Sequence, residues 1–108
     1  MGRPRTSKAP IDPYAPRWGE VVLTGFDHNG QFCYHEILSW DDFYEEVGHV
    51  FDSPDALAKR GIRRLHLVIW DCFGRIQKEA ENEYDASGKG VSGRQRDRPD
   101  QPWIEDED

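Results

Sequence analysis

The side chains with the widest chemical reach in this chain are Cys33, Cys72, His28, His35, His49 and His66. Cys33 and His35 stand two residues apart, so on a strand both project from one face and could seed a metal site. Zinc takes three or four ligands at recognisable spacings, and none of these pairs has such a signature. No metal and no cofactor is therefore expected. His35 with Glu36 is no acid/base pair, because adjacent strand residues point to opposite faces. His66 with Asp71 has no geometric warrant either. Ser87-Gly88-Lys89-Gly90-Val91-Ser92-Gly93 carries glycine and lysine, but not the G-x-x-x-x-G-K-[ST] order, strand or helix of a phosphate-binding loop. No catalytic residue emerges, and the chain reads as non-enzymatic.

Two cysteines make no disulfide framework. Both thiols are expected reduced and roughly buried, with a Cys33–Cys72 bridge as the alternative. No apolar run is long enough to cross a bilayer, and the N-terminus has no apolar stretch of the secretory kind. These features point to a cytoplasmic protein with no membrane contact.

Charge is sorted into blocks along the chain. Residues 1–17 carry Arg3, Arg5, Lys8 and Arg17 against Asp12, a net +3. Residues 18–84 hold the dense hydrophobic sequence with 13 acidic and 6 basic side chains. Residues 85–108 are net −3, with the acids piled into Trp103-Ile104-Glu105-Asp106-Glu107-Asp108. The first block is rich in proline, and 86–99 is glycine, serine and charge. Such segments bury too little apolar surface to offset chain entropy. The reading is a flexible basic arm (1–17), a globular domain (18–84) and a flexible acidic-tipped tail (85–108).

Within 18–84, Gly19–Asp27 and Gln31–Leu38 read as strands joined at Asn29-Gly30, the favoured pair for a type I′ turn. That register pairs Val22 with Ile37, Thr24 with His35 and Phe26 with Cys33 on one face. It pairs Val21 with Leu38, Leu23 with Glu36 and Gly25 with Tyr34 on the other. Ser39 caps a helix whose apolar stripe is Trp40, Phe43, Val47 and Val50, with Tyr44 and Phe51 beside it. Ser53-Pro54 starts a shorter helix that Gly61 stops. Leu65–Trp70 is the third strand, and Asp71-Cys72-Phe73-Gly74 has the residues of a type I turn. Residues 75–79 then return as a strand; a helix over 75–84 is the rival. The fold class is α+β: a small antiparallel ββα(α)ββ meander with one main helix packed on the sheet and no internal repeat.

Four surfaces bear on function. Asp41, Asp42, Glu45 and Glu46, with Asp52 and Asp55, give an acidic helix face that could mimic a phosphate array and steer a basic protein partner. Trp103 and Ile104, flanked by Glu105 and Asp106, suit a short motif whose apolar pair fills a pocket, unless Trp103 folds back on its own domain. Lys59, Arg60, Arg63 and Arg64 form a local basic patch. It could bind phosphate, or pair with the acidic helix of a neighbouring copy. Both sheet faces read as apolar, so one could be buried by a dimer partner.

The arm Gly2-Arg3-Pro4-Arg5 resembles the core of an AT-hook, a resemblance that covers four residues and lacks the usual preceding basic residues. It implies that Arg3 and Arg5 could enter an A·T minor groove. The leading expectation is a small acidic protein-binding module, an inhibitor or nucleic-acid mimic of the kind phages and mobile elements carry. A nucleic-acid accessory protein using the basic arm with Arg60, Arg63 and Arg64, or a structural homodimer subunit, are the alternatives.

Overall fold

The computed structural model describes residues 11–43, 45 and 54–105. They build one antiparallel sheet of six strands: β1 (Glu20–Phe26), β2 (Phe32–Ser39), β3 (Arg64–Trp70), β4 (Ile76–Tyr84), β5 (Gly90–Arg96) and β6 (Ile104–Glu105). Their order is β2-β1-β3-β4-β5-β6. The single non-hairpin connection, from β2 to β3, carries the short helix Pro54–Arg60. The α+β class is as expected, and 76–84 is strand rather than helix.

Three hairpins turn on the same sequence, an aromatic residue followed by Asp-x-x-Gly. They are Phe26-Asp27-His28-Asn29-Gly30, Trp70-Asp71-Cys72-Phe73-Gly74 and Tyr84-Asp85-Ala86-Ser87-Gly88. This is an internal repeat that the sequence reading missed. In each turn the Asp Oδ1 accepts the N–H groups two and four residues on: Asn29 and Gln31, Phe73 and Arg75, Ser87 and Lys89. The glycines alone take a positive φ, at 76°, 79° and 85°, and no non-glycine among the described residues does. A type I′ turn would need Asn29 there too, so Asn29-Gly30 is not one. The aspartate's bonds to following backbone favour a type I turn closed by a left-handed glycine. Each hairpin also shifts register beside its turn. The expected pairs from Val21–Leu38 to Gly25–Tyr34 stand, but Phe26 faces Phe32, not Cys33.

Strand β1 is buried on both faces, as its apolar run requires: Val21, Val22 and Leu23 have no exposed surface. On one face Leu57, Ile62 and Leu65 pack with Tyr34 and Tyr84, under the Pro54–Arg60 helix. Gly25 makes room there, since a Cβ on it would lie 3.1 Å from the Tyr34 Cβ and 3.2 Å from Ile62. On the other face Val22, Val68 and Trp70 pack with Ile11, Ile37 and Ile76. Ile11, Pro13 and Tyr14, within the stretch expected as an arm, thus contact the sheet. The Trp70 indole donates to the Pro13 carbonyl at 3.2 Å and fixes that segment. The chain thus covers both of its apolar sheet faces in part itself.

The segment read as a flexible tail also joins the sheet. Strand β5 pairs with β4 from Glu79–Arg96 to Tyr84–Gly90, and β6 pairs with Arg94 and Gln95. Gly88 brings the intervening turn against Pro54: a Cβ there would stand 1.9 Å from the Pro54 carbonyl oxygen. Ser39 caps residues 40–43 as expected, accepting the Asp42 N–H at 3.2 Å. The rest of the expected stripe, Val47 and Val50 with Tyr44 and Phe51, lies outside the described residues. Cys33 and Cys72 are both exposed and unbridged, against the expectation of burial. Cys33 sits at the bulge of an edge strand and Cys72 in a turn. No helix among the described residues is long and apolar enough to cross a membrane.

Candidate functional site: a buried carboxylate cluster and an exposed aromatic end

Alternation along β3, β4 and β5 puts Arg64, His66, Glu79, Glu81, Arg94 and Arg96 on one face. Register then sets opposite charges across from one another, Glu79 against Arg96 and Glu81 against Arg94. Glu79 is fully buried. Its Oε2 accepts from the Tyr14 hydroxyl at 2.5 Å and lies 2.5 Å from His66 Nε2. Its Oε1 accepts from Arg96 Nε at 2.7 Å. Arg94 donates twice to one oxygen of Glu81, at 3.0 and 2.6 Å. Arg64 stands 3.7 Å from the other.

Electrostatics keep this cluster ionised where it matters. Burial pushes the Glu79 carboxyl up. Hydrogen bonds from Arg96, Tyr14 and His66, with the charge of His66, outweigh it, and the group sits below the ordinary carboxylate range. The Tyr14 hydroxyl is pushed up to about 12, first by burial and then by its bond to anionic Glu79. Tyr14 is thus a neutral donor to anionic Glu79, whose Oε2 meets Tyr14 and His66 while Oε1 accepts from Arg96. The arrangement ties the segment 11–17 to β3, β4 and β5. Among the described residues no three His, Cys, Asp or Glu side chains converge on a metal position. Cys33 and His35 are both exposed, and Phe32 stacks on the His35 ring at 5.4 Å.

The expected binding residues divide. Asp41, Asp42 and Glu45 are exposed at the helix start, as is Asp55 on its own helix; Glu46 and Asp52 lie outside the described residues. Trp103 folds back, with the Arg94 and Arg96 guanidiniums 4.3 and 4.1 Å from its ring centre. Ile104 and Glu105 form β6 and are exposed, while Asp106 lies outside the described residues. Of the basic patch, Arg63 and Arg64 line one open cavity with Asp27, His28, Glu83 and Tyr84. Lys59 and Arg60 are exposed on the short helix. Arg63 donates to the Tyr84 carbonyl, and Arg64 covers Phe26 at 4.4 Å. Arg3 and Arg5 lie outside the described residues.

Sequence reasoning named His66 but not its partner, and missed Glu79, Arg96 and the bond from Tyr14 that complete the cluster. The signal was present: glutamates at 79 and 81 and arginines at 94 and 96 are both spaced by two, on either side of an Asp-x-x-Gly turn. It also missed one end of the sheet. There the Gly19 N–H donates to the Asp71 carbonyl and the Trp40 indole donates to the Trp70 carbonyl at 2.8 Å. These bonds gather residues 18–20, 39–42 and 70–75. Trp18 and Phe73 remain 62% and 75% exposed at that end. Trp18 lies against Gly74, where a Cβ would come 2.6 Å from its indole nitrogen. No protein-family model matches this chain, and no curated protein or solved structure does either.

Proposed function

We propose that the protein is a non-enzymatic protein-binding module. It docks through the end of the sheet that carries Trp18 and Phe73, with Asp41, Asp42 and Glu45 selecting a basic partner surface. The observation that carries this reading is how the acidic residues are used. Asp27, Asp71 and Asp85 are engaged in turns, and Glu79 and Glu81 are engaged by arginines. Asp41, Asp42 and Glu45 are exposed, as are Asp55, Glu83, Asp97 and Glu105, but they follow Trp40, whose indole bonds to the Trp70 carbonyl at the end of the sheet where Trp18 and Phe73 are exposed. Exposed aromatic groups rimmed by charge are the anatomy of a recognition surface, the rings giving affinity and the carboxylates on-rate. The test is the triple reversal D41K/D42K/E45K. Partner capture should fall and lose its dependence on salt; unchanged binding removes these carboxylates from the reading.

A further inference from the structure

We propose that residues 11–17 and 97–105 are two halves of one cover over the sheet face that carries Val22, Val68 and Trp70, and that the Glu79–Arg96 pair latches them so that they open together. Both segments converge on that single pair. From the N-terminal side, the Tyr14 hydroxyl donates to Glu79 Oε2 at 2.5 Å. Arg96 Nε donates to Glu79 Oε1 at 2.7 Å, and Arg96 Nη1 donates to the Gln101 carbonyl at 3.1 Å. The same guanidinium lies 4.1 Å from the centre of the Trp103 ring. A continuous chain of bonds therefore runs from Tyr14 through Glu79 and Arg96 to Gln101 and Trp103. The two segments also share what they cover. Ile11 packs on the cluster of Val22, Val68 and Trp70, and Pro13 accepts from the Trp70 indole. Arg98, Pro99 and Asp100 line an open groove of about 390 Å³ with Trp70 and Ile76.

Burial makes the latch cooperative. Glu79 is fully buried and Arg96 nearly so, and hydrogen-bonded charges in such a setting polarise one another. Lifting 11–17 withdraws the Tyr14 donor from Glu79 and lets water reach the pair. Lifting 97–105 withdraws the Gln101 carbonyl and the Trp103 ring from Arg96 and does the same from the other side. Either event weakens the pair and so loosens the segment still in place. His66 Nε2, 2.5 Å from the same Glu79 oxygen, belongs to β3 and keeps the carboxylate on the sheet while the segments move.

The test is hydrogen exchange of the full chain, read in peptides covering 11–17 and 97–105. The turn at 27–31, outside the cover, is the reference for general loosening. Y14F should speed exchange in 97–105 by at least about threefold although the substitution lies in the other segment, the lower range of coupling within one network. W103L should do the same to 11–17. The turn at 27–31 should not change in either variant. In an E79Q background the latch is already broken, so adding Y14F should leave 97–105 unaltered. A wild type in which 97–105 has no protection overturns the proposal, as does exchange that rises only in the substituted segment. An equal rise at 27–31 overturns it too, as does a Y14F effect on 97–105 that persists undiminished with E79Q. Should circular dichroism show that E79Q fails to fold, the reciprocal pair Y14F and W103L decides.

Discussion

Replacing Glu79 with glutamine removes one charge from the centre of the cluster and little volume. Arg96, only 15% exposed in its side chain, then faces a neutral amide in place of a carboxylate at 2.7 Å. Breaking one side of a buried ion pair costs about 3–5 kcal/mol. The residual exposure of Arg96 and its stacking on Trp103 argue for the lower end, about 3 kcal/mol. With a urea slope of about 2 kcal/mol per molar, the midpoint should fall by about 1.5 M. The pH dependence has a defined sign. The Glu79 carboxyl is held below its ordinary value in the fold, so its contribution is present above the unfolded value of about 4.3 and is lost as pH falls through the lower folded value. The gap between wild type and E79Q should therefore be widest near neutrality and close under acid. Urea unfolding monitored by circular dichroism at several pH values reads both effects. An E79Q midpoint within error of wild type at pH 7 would refute the assignment of Glu79 as the tie between segment 11–17, β3, β4 and β5.

Three further outcomes follow from the same geometry. Y14F should lose about 1.5 kcal/mol near neutrality, the low end for a hydrogen bond to a charged acceptor because Tyr14 is partly exposed. Because the Tyr14 hydroxyl is raised to about 12, its contribution is complete below the ordinary tyrosine value and is lost as pH climbs from there through 12. Y14F should therefore converge with wild type in alkali, as urea midpoints taken across that range would show. Gly88 and Gly30 share a positive φ, but only Gly88 faces backbone, so G30A should cost about 1–2 kcal/mol and G88A at least about twice that in thermal or urea unfolding. W103L, which keeps apolar bulk but loses stacking with two guanidiniums, should cost about 1–2 kcal/mol in the same assay.

The β1–β2 register was legible because Val21, Val22 and Leu23 are apolar in succession and Gln31–Leu38 returns at matched spacing. Ser39 was legible as a cap because its side chain oxygen and the position three residues on are a local signal. The turn at Asn29-Gly30 misled because the dipeptide was weighed alone. Asp27, two residues upstream, satisfies the following backbone and decides the turn. Strand β5 was invisible to composition, since Gly90, Ser92 and Gly93 have weak strand preference. What holds it is not propensity but the arginine–glutamate ladder and the Asp85 turn, which show only when positions 79, 81, 94 and 96 are read together. Residues 11–17 were hidden in the same way. Their prolines suggest an open arm, yet Ile11 and Tyr14 supply the apolar and polar contacts that hold them on the sheet. Trp18 and Phe73 could not be recognised as exposed without knowing which ends of the strands meet.

The most direct test of the docking surface is affinity capture from the native source with the full chain, run with and without nuclease and repeated with W18S/F73S. The account predicts a stoichiometric protein that survives nuclease and is lost with the two aromatic side chains. Capture that vanishes with nuclease, or that W18S/F73S retains undiminished, would contradict it.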